Sequence, residues 1–400
     1  MKRKSRIPLR PLCAVFLAGI CAAGCAATPP VYESRFETDP FESGWEWKEA
    51  SWSRRRPARG SARWVESPDN RGNHCLEVTS GTWRSPAIPV TNRELYRLTF
   101  RSTAAGHGHW GAAWYEEKAE DELSGSVYSR VHTTRNWKST ETVVTPTRHT
   151  GYCRISFHPF RSEILVDDVT FTPVRREEAI RIMDRIYSDA PALEAKPPED
   201  RWQYLPGARR RLENGRELRL VVMGDSLAND LASSCFHLLV EKNWPGSKVA
   251  LYKEVQGGGR PHHFLNRETL DNMLRECRPH LVMFGGVSTS RRDIFRLRMI
   301  ANYVRVQSET EFAAFTGTFL ESRYWDDPDK RIIKKRAAYR KELKEAGSRD
   351  GFAVFDTGGV WDSYLTACGK KPEYFQRDGI HANDRGKQVF GRIMTLFLSP

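Results

Sequence analysis

The sequence lacks the motifs that mark several common kinds of binding site. No two of its eight cysteines have C-x-x-C spacing, which argues against a zinc site. Its one run of three glycines, Gly257–Gly259, has neither the Lys-Ser/Thr of a phosphate-binding loop nor the spacing of a dinucleotide-binding turn. The apolar stretch Leu12–Ala23 is too short to span a bilayer as a permanent helix. We therefore expect no zinc site, no nucleotide cofactor and no membrane-spanning segment.

Acidic residues are in the minority, but the excess of positive charge is not organised for nucleic acid. The 400 residues include 63 Lys and Arg against 50 Asp and Glu, a formal net charge of +13. Several of these positive charges lie before residue 11, and later runs such as Arg54–Arg56 and Arg209–Arg211 are short and scattered. No basic stripe accompanies a nucleic-acid-binding motif. The composition predicts a globular protein with no nucleic-acid partner.

The N-terminus has the pattern of an export signal. Basic residues up to Arg10 precede the apolar stretch, and small residues then lead into Cys25 in the order Ala-Ala-Gly-Cys. This junction resembles the signal of bacterial lipoproteins, in which the cysteine is lipidated and becomes the mature N-terminus. The resemblance implies that residues 1–24 are removed and that Cys25 anchors an exported protein at the periplasmic or outer-membrane face of the bacterial cell envelope. The alternative is an ordinary cleaved signal in which Cys25 is incidental.

Cysteines beyond this junction offer few disulfide pairings. They are Cys75, Cys153, Cys235, Cys277 and Cys368. Exported proteins can form disulfides, so Cys75–Cys153 in the N-terminal half is one pairing open to the chain. The three cysteines of the C-terminal half cannot all pair with one another.

The first half of the chain has the two-residue periodicity of β-strands. From Val31 to about Pro173, apolar residues alternate in short runs separated by turn residues, and no run has a helical period. The pattern predicts an all-β sandwich or jelly-roll domain over residues 25–173. Most of the tryptophans in this half are expected in its core.

The two ends of this half resemble a known type of module. Phe41–Trp45 near the start and Ile164–Phe171 at the end are similar to the first and last strands of carbohydrate-binding jelly-roll modules. The resemblance implies a glycan-binding role. It also implies a structural calcium ion held by acidic residues near both ends, here Glu37 and Asp168.

The second half alternates between strands and helices. An amphipathic helix over residues 174–188 and a Pro-rich linker up to residue 215 precede it. The predicted strands are Leu218–Met223, Lys248–Val255, His280–Phe284, Glu311–Thr318 and Phe352–Asp356. The predicted helices are Ala228–Asn243, Phe264–Arg278, Arg291–Gln307, Arg331–Glu345 and Arg385–Leu398. The alternation predicts an α/β fold over residues 216–400, a parallel five-stranded sheet in a three-layer α/β/α sandwich, with its site at the carboxyl ends of the strands.

A serine and an Asp/His pair are the candidate catalytic residues. Ser226, in Gly-Asp-Ser-Leu, lies where the first strand of the sheet ends and a helix begins, so its side chain is exposed at the catalytic edge. Asp378 precedes His381 by three residues, so its carboxylate can bind one imidazole nitrogen while the other faces a nucleophile. Each motif is commonplace alone, because Asp378 would suit a turn and His381 a helix cap.

Together and in this order, the two motifs resemble the SGNH, or GDSL-type, serine hydrolases. The resemblance covers about residues 216–400. It implies that Ser226 is the nucleophile, that His381 is the base, and that Asp378 orients the imidazole.

The same resemblance implies an oxyanion hole with three donors. The backbone N–H of Ser226 is one, and a glycine N–H after the second strand is another, for which we choose Gly258 among Gly257–Gly259. The third is normally an Asn side chain after the third strand. This sequence has no Asn there, and Ser288 stands in its place with a hydroxyl of shorter reach.

Two pairs of residues close to these motifs are expected to have structural and not catalytic roles. Asn229 and Asp230 follow the nucleophile by one helical turn, and we expect them to face solvent or to cap the helix. His262 and His263 follow the glycine loop, and we expect them at the surface, the alternative being that they line the pocket.

These features predict an exported serine esterase that needs no cofactor. The adjoining β-domain favours acetylated polysaccharide or oligosaccharide as the substrate, an association between domains and not a property of the catalytic residues. One alternative is a glycan-binding lipoprotein that keeps the hydrolase fold as a scaffold, which the missing Asn favours. A second alternative is a lipase or thioesterase that acts on long acyl chains. The sequence does not indicate the oligomeric state.

Overall fold

The structure is a computed structural model that describes most of the chain after residue 27. The described residues are 28–48, 61–69, 72–116, 123–131, 134–146, 149–160, 163–288, 290–318, 326–327 and 329–400. The predicted signal and Cys25 lie outside the described residues. No helix within these ranges is long and apolar enough to cross a membrane.

The N-terminal half forms two packed antiparallel sheets. Their strands are β1 (Tyr32–Ser34), β2 (Glu46–Lys48), β3 (Ser61–Glu66), β4 (His74–Ser80), β5 (Thr82–Arg84), β6 (Ile88–Pro89), β7 (Tyr96–Ala104), β8 (Gly108–Tyr115), β9 (Leu123–Arg130), β10 (Thr134–Val144), β11 (Tyr152–Pro159) and β12 (Ile164–Pro173). One sheet has the order β10-β7-β12-β4-β3 with β1 on β12, and the other has the order β2-β5-β11-β8-β9 with β6 on β11. Trp110, Trp114, Phe100 and Phe157 fill the core between them. The predicted all-β fold is confirmed.

None of the five cysteines in the described residues forms a disulfide. Cys153 packs in the core between the sheets. Cys75 lies beside Leu76, which is also in that core, so the alternation of β4 turns Cys75 to the other face of its sheet. There, burial and the negative charge of Asp167 raise the pKa of the Cys75 thiol. The Cys75–Cys153 pairing is therefore not formed, because the two thiols lie on different faces.

Asp168, one of the two acidic residues proposed to hold calcium, is paired with arginine. The guanidinium of Arg101 lies 3.5 Å from the carboxylate of Asp168 and hydrogen-bonds Asp69 at 2.5 Å. No group of three or more His, Cys, Asp or Glu side chains in the described ranges is placed to hold a metal ion. Glu37 and Asp168 therefore do not fit a calcium site.

Two helices connect the β-domain to the second half. Helix α1 (Arg176–Ser188) agrees with the predicted amphipathic helix, whereas α2 (Pro206–Glu213) falls within the predicted linker and begins with a proline, which suits a first helical position. Ala179, Ile182 and Met183 of α1 pack with Leu95 of the β-domain and Leu238 of the second half. The two halves thus share a small apolar core through α1.

The second half is a parallel sheet covered by helices on both faces. Its strands are β13 (Glu217–Gly224), β14 (Lys248–Val255), β15 (Leu281–Gly286), β16 (Glu311–Thr316) and β17 (Ala353–Phe355), in the order β14-β13-β15-β16-β17. Its helices are α3 (Ser226–Ala232), α4 (Phe236–Asn243), α5 (Arg267–Cys277), α6 (Arg291–Ser308), α7 (Arg331–Asp350), α8 (Thr357–Cys368) and α9 (Asp384–Phe397). Along β13, Leu220 and Val222 enter one apolar core while Val221 and Met223 enter the other. The predicted α/β/α sandwich is confirmed.

Helix boundaries differ from the prediction at two places. The predicted helix Ala228–Asn243 is two helices, because Cys235 takes a left-handed conformation with φ of 57° and separates α3 from α4. None of the predicted helices or strands covers helix α8. Its side chain Trp361 is fully buried in the core, and the near absence of charge in α8 leaves little amphipathic signal in the sequence.

Candidate active site

The candidate site lies where three neighbouring strands end. Gly224 of β13 is in register with Val255 of β14 on one side and with Gly285 of β15 on the other. The loops that follow these strands carry the predicted site residues Ser226, Gly257–Gly259 and Ser288. The carboxyl edge of the sheet therefore brings three separate segments together.

Glycine is required immediately before the nucleophile loop. Gly224 has φ of 135°, and a Cβ atom at this position would lie 1.9 Å from the carbonyl oxygen of Gly285. The strand can therefore turn sharply against its neighbour only without a side chain. This turn places Ser226 at the first position of α3, half-buried at the edge of the sheet.

The three predicted triad residues are within hydrogen-bond distance of one another. His381 Nε2 lies 2.7 Å from Ser226 Oγ. His381 Nδ1 lies 2.8 and 2.9 Å from the two carboxylate oxygens of Asp378. When Nδ1 carries the proton, its N–H donates a hydrogen bond to Asp378, and Nε2 accepts a hydrogen bond from the serine hydroxyl. The arrangement can therefore remove a proton from Ser226 and return it to a leaving group.

Asp378 is held in its ionised form. Burial raises the pKa of this carboxyl, but the hydrogen bond and charge of His381 and the charge of Arg377 outweigh burial and hold the pKa well below its usual range. Asp378 Oδ1 also accepts the backbone N–H groups of Ile380 and His381, each at 2.9 Å. The carboxylate thus fixes both the loop and the imidazole.

A hydrogen bond at the Gly257–Gly259 loop reduces the number of candidate oxyanion donors. The N–H of Gly259 donates to the carbonyl oxygen of Gln256 at 2.8 Å, which closes a turn in which Gly258 has φ of 67°. This turn occupies the N–H of Gly259. Gly257 and Gly258 are exposed and remain the two candidates, so the choice of Gly258 stays a prediction.

The hydroxyl of Ser288 is engaged by a buried carboxylate. Ser288 Oγ donates to Asp293 Oδ2 at 2.6 Å, and Asp293 is only 2% exposed. A hydroxyl has a single proton, so this contact competes with donation to an oxyanion. The backbone N–H of Ser288 is the other group by which this residue could serve the oxyanion hole, and its role there stays a prediction.

Asp225 holds two loops of the site together by hydrogen bonds, a structural role that the sequence pattern alone did not reveal. Its Oδ1 accepts the N–H of Leu227 at 2.8 Å and caps α3, and its Oδ2 accepts the N–H of Val287 at 2.7 Å. Burial raises the pKa of Asp225 to about 6, against the opposing effect of these N–H donors and of His381. The N-cap position before α3 is the one sequence signal for this residue.

Asp230 is buried, and the expectation that it faces solvent or caps the helix is wrong. It is 1% exposed, accepts the N–H of Ala382 at 2.8 Å, and lies 3.1 Å from Nη1 of Arg377. Residues four apart share one face of a helix, so Asp230 faces the same loop as Ser226 does. Asp230 therefore binds the segment that carries Asp378 and His381.

The β-domain contacts this part of the site through main-chain carbonyls of β9. Asn229 Nδ2 donates to the carbonyl oxygen of Ser126 at 2.7 Å, so this side chain does not face solvent as expected. The carbonyl oxygen of Tyr128 accepts from Arg377 Nη1 at 3.0 Å and from Lys387 Nζ at 2.5 Å. The β-domain is thus packed against α3, the predicted nucleophile helix that begins at Ser226, and against the loop of Arg377, Asp378 and His381, which we call the triad loop.

Comparison with known proteins gives similarities of fold at low sequence identity. No model of a protein family matches the sequence, and no curated protein matches it. Among solved structures, a two-domain esterase active on acetylated mannans is 13% identical, over 49% of this chain and 53% of its own, with a TM-score of 0.39. An acetyl xylan esterase from Geobacillus stearothermophilus is 12% identical, over 45% of this chain and 93% of its own, with a TM-score of 0.37.

A carbohydrate-binding module also matches. The xylan-binding CBM22-1 domain of Xyn10C from Paenibacillus barcinonensis is 11% identical, over 37% of this chain and 97% of its own, with a TM-score of 0.28. The match spans about half (53%) of the two-domain esterase and 20% of a bacteriophage tailspike domain. Two of these neighbours are thus esterases that act on acetylated polysaccharides, and one is a xylan-binding domain.

Proposed function

We propose that this protein is a carboxylic ester hydrolase of the SGNH type with Ser226 as its nucleophile. The observation that carries the proposal is the pair of contacts made by His381, 2.7 Å to Ser226 Oγ and 2.8 Å to Asp378. This is the geometry by which an oriented imidazole activates a serine hydroxyl. The ionised state of Asp378 supports it, because a carboxylate stabilises the imidazolium that forms during the reaction.

The proposed reaction proceeds through an acyl-enzyme. Ser226 Oγ attacks the ester carbonyl carbon while His381 Nε2 takes its proton, and the N–H groups of Ser226 and of Gly258 stabilise the oxyanion. The tetrahedral intermediate collapses, the C–O bond to the alcohol breaks, and His381 returns the proton to the departing oxygen. Water then attacks the acyl-serine with His381 as base, which releases the carboxylic acid and restores Ser226.

The β-domain supports carbohydrate as the alcohol part of the ester. Its strand β9 contacts the loop of Asp378 and His381 directly through the carbonyl of Tyr128, so a glycan held next to β9 would lie near that loop. An O-acetyl group on a polysaccharide is therefore the proposed ester, a step that rests on the association between the domains.

Hydrolysis of p-nitrophenyl acetate, followed by acetate release from acetylated polysaccharides, tests this function. Wild type should be active and Ser226→Ala inactive at equal folding, measured by circular dichroism. Preference for p-nitrophenyl palmitate over the acetate would indicate a lipase. Absence of all esterase activity, with glycan binding retained by both proteins, would indicate the glycan-binding lipoprotein instead.

We also propose that Cys25 is the lipidation site and that the protein is tethered to the cell envelope. The supporting observation is the basic, apolar and Ala-Ala-Gly-Cys sequence of residues 1–25. Cys25→Ala should leave the signal uncleaved or release the protein from the membrane fraction. A variant that fractionates and migrates like wild type would contradict the anchor.

A further inference from the structure

A group of basic side chains lies at the carboxyl edge of the sheet, beside the candidate active site. Arg260, His262 and His263 follow the glycine loop, and Arg292 and Arg296 lie in the first two turns of α6. We call these five residues the cationic rim. Each is exposed except Arg296, whose side chain is 34% exposed.

Members of the rim come from the segment after the glycine loop and from α6, and several of them act on one another. Arg296 Nη1 lies 3.4 Å from His262 Nδ1, and the rings of His262 and His263 are centred 3.9 Å apart. The charge of Arg260 also acts on His262. Arg260, His262, His263 and Arg296 are therefore one patch, and Arg292 lines a groove together with Arg296.

Three polar contacts and two steps along the peptide chain connect the rim to Ser226. Arg296 is paired with Asp293 at 3.2 Å, and Asp293 accepts the hydroxyl of Ser288 at 2.6 Å. The next residue in the chain before Ser288 is Val287, whose N–H donates to Asp225, the neighbour of Ser226. The rim thus adjoins the loop that carries Ser288, one of the predicted site residues.

The cationic rim carries more positive charge than its acidic neighbours neutralise. Asp293 is a buried carboxylate and is shared between Arg296 and Ser288. Arg260 and Arg292 form no ion pair with any other residue in the described ranges, and both are exposed. An anionic ligand would therefore meet two uncompensated guanidinium groups, which are well suited to carboxylate and sulfate oxygens.

A shallow groove beside the rim offers an apolar surface for a sugar ring. Its volume is about 520 Å³, and it is lined by Leu265, Arg291, Arg292, Phe295, Arg296 and Met299. Phe295 is 60% exposed and Met299 is 47% exposed. These side chains lie four residues apart on α6 and so form one face next to the arginines.

We propose that the cationic rim binds the anionic groups, carboxylate or sulfate, of a glycan unit next to the ester, so that the substrate is an acidic polysaccharide. The proposal deepens the esterase function above and rests on it. In it, the guanidinium groups of Arg260, Arg292 and Arg296 bind the anion, and Phe295 packs against the ring that carries it.

The test measures binding separately from turnover. Isothermal titration calorimetry with full-length protein uses an oligogalacturonate as the carboxylate probe, a sulfated galactan oligosaccharide as the sulfate probe, and a neutral galactan oligosaccharide. The test variant is Arg260→Gln/Arg292→Gln. The matched control is Arg210→Gln/Arg216→Gln, two exposed arginines at the opposite edge of the sheet that carry the same charge change.

We expect one or both anionic probes to bind more tightly than the neutral probe. The Arg260/Arg292 variant should lose about threefold to tenfold in affinity per arginine, and the control variant less than twofold. Equal affinity for all three probes, or equal losses in both double variants, would overturn the rim. Which of the two anionic probes binds identifies the group that is recognised.

Turnover assays separate this proposal from the esterase function itself. The test variant should keep wild-type activity on p-nitrophenyl acetate but show a raised KM on acetylated polygalacturonate. If wild type fails on p-nitrophenyl acetate, the esterase function fails, while the calorimetry still decides whether the rim binds anions.

Discussion

Nη1 of Arg377 donates a 3.0 Å hydrogen bond to the carbonyl oxygen of Tyr128, which joins the residue before Asp378 to the β-domain. The same nitrogen lies 3.1 Å from the buried carboxylate of Asp230 on the nucleophile helix. Arg377 therefore ties together three segments, the β-domain, the nucleophile helix and the triad loop. The β-domain is, through this contact, part of the support of the site.

Arg377→Gln should weaken both the fold and the activity. The substitution leaves Asp230 as a buried carboxylate without its nearest counter-charge, which typically costs about 3 to 5 kcal/mol. We expect a loss of about 3 kcal/mol in the free energy of unfolding by urea denaturation, and a fall of about tenfold or more in kcat/KM on p-nitrophenyl acetate. Asp230→Asn/Arg377→Gln should recover part of the lost stability. A single variant as stable as wild type would contradict this account.

Ser226→Ala and His381→Ala should each abolish esterase activity. In serine hydrolases, loss of the nucleophile or of the base lowers kcat by roughly four to six orders of magnitude. Asp378→Asn should cost a similar or smaller factor, because the carboxylate orients and stabilises the imidazole without taking its proton. Steady-state kinetics on p-nitrophenyl acetate measure all three. Retained activity in Ser226→Ala would exclude the proposed nucleophile.

Although Ser226 is far from Asp378 and His381 in the sequence, the order of the strands and the two motifs predicted that these residues lie together. Ser226 follows the first strand of the sheet, and Asp378 and His381 share one loop before the last helix. A parallel sheet brings such positions to one edge. The periodicity likewise predicted the five strands of the second half, since their apolar runs are bounded by polar residues.

What the sequence could not predict depends on contacts between distant segments. Asp230 looks like a surface residue of a short helix, and only the packing of the triad loop and β9 on that helix buries it. The boundary of an independent β-domain near Pro173 stays a prediction. The apolar core that α1 shares with Leu95 and Leu238 shows that the two halves pack on each other, which periodicity does not report.

Ser288→Ala tests whether this hydroxyl replaces the missing Asn. The hydroxyl donates to the carboxylate of Asp293, so its removal should lower the free energy of unfolding by about 2 kcal/mol, in the range of hydrogen bonds to charged groups. We expect kcat to fall less than about tenfold, since the donated proton is engaged elsewhere. A loss in kcat of about 100-fold at unchanged KM would contradict this and identify Ser288 Oγ as an oxyanion donor. Higher kcat in Ser288→Asn would show that an amide can still reach the oxyanion.

Asp225 should make the stability of the protein depend on pH between about 4 and 6. Its pKa is raised by burial from the ordinary value of 3.8 to about 6, so the folded protein binds a proton there that the unfolded chain has already released. This contribution to stability is present below the unfolded pKa and is lost as the pH rises through about 6. Asp225→Asn cannot titrate and serves as the reference.

The difference in free energy of unfolding, wild type minus Asp225→Asn, should therefore be about 2 kcal/mol larger at pH 4.5 than at pH 7. Urea denaturation of both proteins at the two pH values measures it, and titrations elsewhere in the chain cancel in the difference. The Asn side chain has one carbonyl oxygen for two N–H donors, Leu227 and Val287, so the variant should also lose activity at both pH values. A difference that is constant, or that grows as the pH rises, would mean that Asp225 is ionised throughout this range and that its N–H donors, not burial, set its pKa.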